Sequence, residues 1–230
     1  MLQQDSSSPS LNNEPLLLET SNNHPNKYSV AVYSAASENL PDEYKQVSEQ
    51  VGQLLAQHSL SLRYGAGNTG LMYRVAKGCM DKGGYVTGIL PQFMVDRNWH
   101  INKSFISELI ITETMHERKQ LMIQNVCACI ALPGGVGTLE ELLEAITWRQ
   151  IGLYDGEIIV LNTLNYYEHL IKLLGRAECD GFVGKGDSGK LFKVAQSPEE
   201  VIDFVKQEIE RRESNLTGNN EEGKLKKELI

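Results

Sequence analysis

The chain has 230 residues, with 22 Lys and Arg against 30 Asp and Glu, and a formal net charge of −8. This length is typical of one domain with tails, since domains run to ~100–200 residues. The acidic balance argues against a nucleic-acid partner, because general nucleic-acid-binding proteins carry clustered basic residues. No apolar run approaches the ~20 residues of a membrane helix, so we expect no membrane partner either.

Both ends of the sequence are polar. Residues 1–27 are rich in Ser, Asn, Pro and Gln, and this composition predicts a disordered tail. The tail has no features of a secretion signal, because no Lys or Arg precedes Lys27 and the only apolar run is three Leu at 16–18. Residues 214–230 form a second polar tail, which leaves residues 28–213 as the expected domain.

Two of the four cysteines, Cys127 and Cys129, lie in an apolar run that is typical of a strand. Side chains two apart on a strand share one face, which would suit a pair of metal ligands. No second Cys or His pair at ligand spacing completes such a site, so we expect no metal. Buried, reduced thiols in a cytoplasmic protein are the better interpretation.

Short apolar runs alternate with longer amphipathic ones through the domain. The predicted strands are 29–33, 60–64, 85–90, 106–112, 126–132 and 157–161. The predicted helices are 41–57, 69–81, 116–124, 138–150, 166–175 and 198–213, with an irregular stretch from Pro91 to about Lys103. This alternation indicates crossover units, and therefore a single-domain α/β fold with a doubly wound, parallel, Rossmann-like sheet. Ligands of such sheets bind at the carboxyl ends of the strands.

A GxGxxG motif, GAGNTG at residues 65–70, follows the second predicted strand and opens a helix. Glycines let a backbone approach a phosphate, and a helix N-terminus offers free N–H groups. A dinucleotide-binding fold would have an acidic residue at the end of the next strand, but residues 88–92 contain none. NAD is therefore not expected, and the motif fits a tight glycine turn as well as it fits a nucleotide site.

A second glycine-rich turn, PGGVGTLEE at residues 133–141, also lies between a strand and a helix. Three glycines and a Thr at a helix start are typical of an anion-binding site. No Lys stands where a Walker A loop requires it, so the turn suits one phosphate better than a triphosphate with Mg²⁺. Thr138 and Glu141 also have the spacing of a capping box, which alone would make Glu141 a structural residue.

The segment MHERK at residues 115–119 would by itself be the solvated start of a charged helix. Followed by PGGVGTLEE, it resembles the Lonely Guy (LOG) family of phosphoribohydrolases, which is also found under the label lysine decarboxylase. The resemblance extends over roughly residues 30–204. It includes YGAG at 64–67, GLM at 70–72, GILP at 88–91, Thr147 with Trp148, and Asn162 with Tyr166 and Tyr167.

This resemblance implies hydrolysis of the N-glycosidic bond of a nucleoside 5′-monophosphate, often an N6-modified adenosine phosphate, to a free base and ribose 5-phosphate. It implies Arg118 and Glu141 as the catalytic pair. By motif position, it implies as substrate-binding residues Gly65, Gly67, Met115, Lys119, Gly134, Gly135, Gly137, Thr138 and Thr147. No cofactor is implied, and members of the family are commonly homodimers.

These residue types fit the implied reaction. Glycoside cleavage develops positive charge on the sugar, which a nearby carboxylate stabilises. Glu141 would supply that carboxylate, and Arg118 would hold it ionised and in place. The glycine-rich turn and Lys119 would bind the 5′-phosphate, whose binding energy can then act at the reacting bond.

The sequence departs from the family pattern at several positions, which are Ala35, Ala36, Ala66, Tyr73 and His100. These changes bear mainly on the identity of the base, so plain AMP and N6-prenylated adenosine phosphates both remain candidate substrates. The alternative function is a nucleotide- or cofactor-binding carrier without efficient turnover. Literal lysine decarboxylation would need pyridoxal phosphate on a Lys, and nothing in the sequence indicates such a residue.

Overall fold

The structure is a computed structural model that describes residues 25–184 and 188–228. The predicted N-terminal tail falls outside these residues as far as position 24. Within the described residues, no helix is both long and apolar enough to span a membrane.

Seven parallel strands form one sheet in the order β4-β3-β2-β1-β5-β6-β7. The strands are β1 Tyr28–Tyr33, β2 Leu60–Tyr64, β3 Val86–Pro91, β4 Glu108–Thr112, β5 Ala128–Ala131, β6 Glu157–Leu161 and β7 Lys193–Ala195. The helices are α1 Asp42–Gln57, α2 Gly70–Asp81, α3 Gln92–Asp96, α4 Met115–Ile123, α5 Val136–Gln150, α6 Glu168–Cys179, α7 Ser188–Leu191 and α8 Pro198–Glu228. The predicted doubly wound parallel fold is confirmed.

Apolar side chains pack against both faces of the sheet. On β1, Val30 and Val32 belong to one buried cluster, whereas Ala31 and Tyr33 belong to the other. Such burial on both sides explains why the strands appear in the sequence as continuous apolar runs, not as alternating patterns. Cys127 and Cys129 also lie in different clusters. Their predicted shared face is wrong, because Cys127 precedes β5 and so does not follow the alternation of the strand.

Three short elements were not predicted, namely α3, α7 and β7. Each has three to five residues, which is too short for a periodic apolar pattern. The last predicted helix, 198–213, continues as α8 to Glu228 and so enters the predicted C-terminal tail. The prediction stopped early because the apolar periodicity of this helix ends near Ile209.

The chain reverses the direction of its winding between β1 and β5. From β1 the chain proceeds through β2 and β3 to β4 on one side, and β5 leads through β6 to β7 on the other. The loops that follow β1 and β5 therefore diverge and leave a crevice at the carboxyl ends of these neighbouring strands. Both glycine-rich motifs of the sequence follow strands at this edge of the sheet.

Candidate active site

A cavity of about 730 Å³ lies at this crevice, within the size range of small-molecule sites. Most of the sequence-predicted site residues line it, and these are Gly65, Gly67, Met115, Arg118, Lys119, Gly135, Gly137, Thr138 and Glu141. Loops after β1, β2, β3 and β5 therefore meet around one cavity, together with the N-terminal part of α4.

Helix α4 positions Arg118 at this cavity. The Thr114 hydroxyl accepts a hydrogen bond from the Glu117 amide at 3.1 Å, and the Glu117 carboxylate accepts one from the Glu113 amide at 2.9 Å. These two bonds are those of a capping box with its return bond shifted by one residue, and they fix the first turn of α4. Arg118 lies in this turn, and its Nε also donates to the Ile89 carbonyl at 3.4 Å.

The Arg118 guanidinium donates through Nη1 to Oε1 of Glu141. The side chains of Arg118 and Glu141 are only 10% and 12% exposed, so the ion pair is largely removed from water. Burial raises the pKa of the Glu141 carboxyl, and the adjacent Arg118 charge partly offsets this effect. The Glu141 carboxylate is thus fixed in position by Arg118, and its pKa is shifted by opposing effects of burial and charge. A shifted pKa next to a charged partner in a cavity is typical of functional sites.

Glu141 is not the return partner of a capping box. Helix α5 begins at Val136 with Gly135 as its N-cap residue, so Thr138 lies within the first turn and not at the cap. The capping interpretation of Thr138 and Glu141 is therefore wrong. The spacing of the two residues is correct for a box, but the N-cap residue is Gly135, three residues before Thr138, so the Glu141 carboxylate is available to pair with Arg118.

The N-terminus of α5 has the features of an anion-binding site. Its first-turn amides have no acceptor within the helix, and no described side chain caps them. A Cβ placed at Gly135 or Gly137 would meet nothing within 4 Å, and neither glycine has a positive φ. Packing and backbone conformation therefore do not explain these two glycines, whereas close approach of a ligand to the backbone does.

Two tyrosine hydroxyls bind backbone carbonyls at the start of this turn. The Tyr167 hydroxyl donates to the Leu132 carbonyl at 2.6 Å, and the Tyr166 hydroxyl donates to the Gly134 carbonyl. Gly134 does not line the cavity, and a Cβ at this position would be 2.1 Å from Oγ1 of Thr138. Gly134 instead lets the turn close onto Thr138.

The N-terminus of α2, which the GxGxxG motif opens, is occupied by protein groups. The Gly70 amide donates to the Glu38 carboxylate at 2.9 Å, and the Leu71 and Met72 amides donate to the Ala35 carbonyl at 2.9 and 3.2 Å. The sequence left two interpretations of this motif, a nucleotide site and a tight turn. At the N-terminus of α2 the motif is a tight turn, because the amides there already have protein acceptors. Gly65 nevertheless lines the cavity, as does Gly67.

Lys119 lies at the edge of the cavity with two acidic partners. Its Nζ is 2.6 Å from a Glu140 oxygen and 2.9 Å from a Glu144 oxygen. The hydrogen bond to Glu140 raises the pKa of Lys119. Thr147 does not line the cavity. It is exposed on α5, and its hydroxyl donates to the Leu143 carbonyl at 2.8 Å. Substrate binding by Thr147 remains a prediction.

Further residues line the cavity that the sequence had not assigned to the site, and these are Ser34, Ala35, Ala36, Ser37, Asn68, Thr69, Met72, Met94, Trp99 and Glu140. The segment after β1 could have been found from its place at the end of a strand. The Oγ atom of Ser34 is buried there without a hydrogen-bond partner among the described residues. Met94 and Trp99 carry no comparable signal, because they lie in the stretch without periodicity.

No cysteine side chain lines this cavity. Cys79, Cys127 and Cys129 are buried and free, and burial raises the pKa of each to about 12. Protonated thiols of this kind are unreactive. Among the described residues, no group of three or more His, Cys, Asp or Glu side chains could hold a metal ion.

Comparison with known proteins supports the family resemblance that the sequence motifs indicate. Residues 72–205 match the family model described as "Possible lysine decarboxylase", which is more than half of the chain. The chain belongs to this family. A cytokinin riboside 5′-monophosphate phosphoribohydrolase of Arabidopsis thaliana is 36% identical over 173 residues, which are 75% of this chain and 75% of the relative. A namesake from Rhodococcoides fascians is 36% identical over 159 residues, covering 69% of this chain and 80% of that one. The resemblance to LOG proteins is thereby confirmed.

Solved structures of the same fold include two proteins of different description. The molybdenum cofactor carrier protein of Chlamydomonas reinhardtii has a TM-score of 0.61 at 19% identity, with 80% of this chain and 98% of that chain covered. The molybdenum cofactor binding protein of Rippkaea orientalis has a TM-score of 0.60 at 23% identity, with 80% and 99% covered. At these identities the likeness establishes the fold alone.

Proposed function

We propose that the protein hydrolyses the N-glycosidic bond of a purine nucleoside 5′-monophosphate and releases the free base and ribose 5-phosphate. One observation carries the proposal: the buried pair of Arg118 and Glu141 faces the same cavity as the uncapped N-terminus of α5. The named activity of the two relatives is of this kind.

The 5′-phosphate binds at the first turn of α5. The free amides and the helix dipole favour an anion there, by ~0.3–2 kcal/mol for the dipole alone. Gly135 and Gly137 let the phosphate oxygens reach the backbone, since neither position carries a side chain in the way. Lys119 lies at the same edge of the cavity, and an arriving phosphate competes with Glu140 for its ammonium group.

Glu141 acts on the sugar. Water attacks C1′ while the bond from C1′ to the base nitrogen breaks. The base leaves with the electron pair of that bond and takes up a proton, and the water loses one. The Glu141 carboxylate stabilises the positive charge that develops on the ribose, and Arg118 keeps this carboxylate in place. The Ser34 hydroxyl is the buried polar group of the cavity that can bond a substrate oxygen.

Two substrates fit this proposal, plain AMP and N6-prenylated AMP. Three methionines that line the cavity, Met72, Met94 and Met115, favour an apolar substituent on the base. We also place the protein in the cytoplasm, since its cysteines are free in the described residues. The exposed apolar side chains Leu143, Ile151 and Leu153 support a homodimer.

The test is a chromatographic assay for free base. The purified protein is incubated with AMP, N6-prenyl-AMP and the two matching nucleosides. We expect base release from a monophosphate and little from the nucleosides, because a missing phosphate can cost ~10⁴-fold in efficiency. Glu141→Gln and Arg118→Ala should abolish release. Glu168→Gln is the matched control, because it removes a carboxylate from a surface ion pair with Lys172.

A carrier function is the competing outcome of this assay. Tight binding of a monophosphate by the wild-type protein, with no base released from either substrate, would favour the carrier. Wild-type rates in Glu141→Gln would remove Glu141 from the mechanism.

A further inference from the structure

The strand order separates the two ends of the cavity. The turn that leads into α5 follows β5, whereas Met94 and Trp99 come from the segment after β3. Strands β1 and β2 lie between β5 and β3, so these strands are three spacings apart, roughly 14 Å. A ligand with its phosphate at α5 and its sugar near Glu141 therefore extends its base toward the β3 segment.

Trp99 is the aromatic residue at that end. It is 53% exposed, and it is the one aromatic side chain among the described residues that line the cavity. The Arg97 guanidinium lies 5.0 Å from the centroid of its ring and 5.5 Å from that of Phe93. A large aromatic ring left half open to solvent beside a cavity is a common feature of ligand sites.

The backbone holds Trp99 in this position. Its amide donates to the Met94 carbonyl at 3.0 Å, which closes the turn after α3. Two residues later, the Ile101 amide donates to the Ala66 carbonyl at 2.7 Å, and the Ile101 side chain is buried in the core. The backbone at Trp99 is thus held by α3 on one side and, through Ile101, by the core on the other, although the segment itself is irregular.

We propose that Trp99, with Arg97 over its ring, stacks on the base of the substrate and makes the site select purine over pyrimidine monophosphates. This inference rests on the proposed function. Stacking depends on the area of overlap, and the two fused rings of a purine cover more of an indole than the single ring of a pyrimidine. The unsubstituted ribose 5-phosphate, which has no base, gains nothing from Trp99.

The test compares Trp99→Leu with Phe93→Leu. Phe93 shares the Arg97 contact but does not line the cavity, so its substitution controls for disturbance of the segment. Trp99→Leu should raise the KM for AMP about tenfold, the size of one aromatic–base stack, and should reduce the preference for AMP over UMP. The inhibition constant of ribose 5-phosphate should stay unchanged. Trp99→Phe should lose less than Trp99→Leu.

Fluorescence gives a second measurement that needs no turnover. The chain has two tryptophans, so Trp148→Phe leaves Trp99 as the only tryptophan, and excitation at the long-wavelength edge, where tyrosine does not absorb, reports Trp99 alone. AMP should quench this emission and ribose 5-phosphate should not. A wild-type KM in Trp99→Leu, an equal loss for ribose 5-phosphate, or no quenching by bound AMP would each overturn the inference. Quenching without base release from AMP or N6-prenyl-AMP would leave the stacking intact and reject the proposed hydrolysis, and a protein that binds neither monophosphate would reject both.

Discussion

The guanidinium of Arg118 lies against the backbone of Gly65. A Cβ at position 65 would stand 2.3 Å from Nη2 of Arg118, closer than real contacts allow. The same guanidinium donates to Glu141, so the loop after β2 sets the position of the ion pair that α4 and α5 contribute. Gly65 therefore has a role that is separate from phosphate binding.

Gly65→Ala should disable the site without unfolding the protein. The added methyl group meets the ends of two long side chains, Arg118 and Met72, which can move aside. Displacing Arg118 breaks its contact with Glu141, so kcat/KM for AMP should fall at least about tenfold, the equivalent of ~1.4 kcal/mol. Steady-state kinetics and thermal unfolding of the same sample separate the two effects.

Gly175→Ala is the control for a glycine replaced by alanine. Position 175 lies in α6, and a Cβ there meets nothing within 4 Å. Alanine should raise the free energy of unfolding by roughly 0.5–1 kcal/mol and leave catalysis unchanged. A Gly65→Ala protein as active as Gly175→Ala would show that the position of Arg118 does not depend on Gly65.

Gly137→Ala should impair substrate binding while the fold stays as stable as before. A Cβ at position 137 meets no protein atom within 4 Å, and alanine in the first turn of α5 suits a helix better than glycine. The methyl group would instead meet the phosphate. We expect a higher KM for AMP at an unchanged or slightly higher unfolding temperature. An unchanged KM would place the phosphate away from α5.

The sequence was sufficient to predict the fold and a group of residues that the structure brings together around one cavity. Continuous apolar runs revealed six of the strands, and the two spaced motifs indicated Arg118 and Glu141. The sequence left open whether the glycine turn at residues 65–70 is a nucleotide site or a tight turn. Both turns precede helices, and only the contacts of Glu38 and Ala35 with α2 show that one of them is closed. Such contacts join residues more than 30 positions apart, which no local pattern records.

The acid side of the pH–activity profile should report Glu141. Burial raises the pKa of this carboxyl above its ordinary value of 4.5; Arg118 and Lys119 oppose that effect, and Glu140 adds to it. The reaction needs the carboxylate, so activity should fall as the pH drops through this raised pKa. The fall should therefore occur at a higher pH than for an exposed glutamate.

Two neighbouring substitutions should move this fall in opposite directions. Glu140→Gln removes a negative charge near Glu141, so the loss of activity should shift to lower pH. Lys119→Met removes a positive charge, so the loss should shift to higher pH. The kcat/KM for AMP, measured across the acidic range, gives both shifts. Shifts of the same sign, or none, would mean that another group controls the profile.

Gly70→Ala should destabilise the protein through the loop after β1. Gly70 has a φ of +61°, and a Cβ there would lie 2.5 Å from the Ser37 carbonyl oxygen and 2.6 Å from the carbonyl carbon of Ala36. Gly83→Ala is the matched control, because Gly83 has a φ of +73° but open space around its Cβ position. The control loses only the free energy needed to place an alanine in the left-handed region, ~1–2 kcal/mol. The difference in the free energy of unfolding between the two variants, measured in urea, therefore reports the clash.

Gly70→Ala should be the less stable variant and should also bind AMP more weakly, since the displaced loop lines the cavity. Equal stabilities would mean that the loop moves aside freely and does not seal the N-terminus of α2.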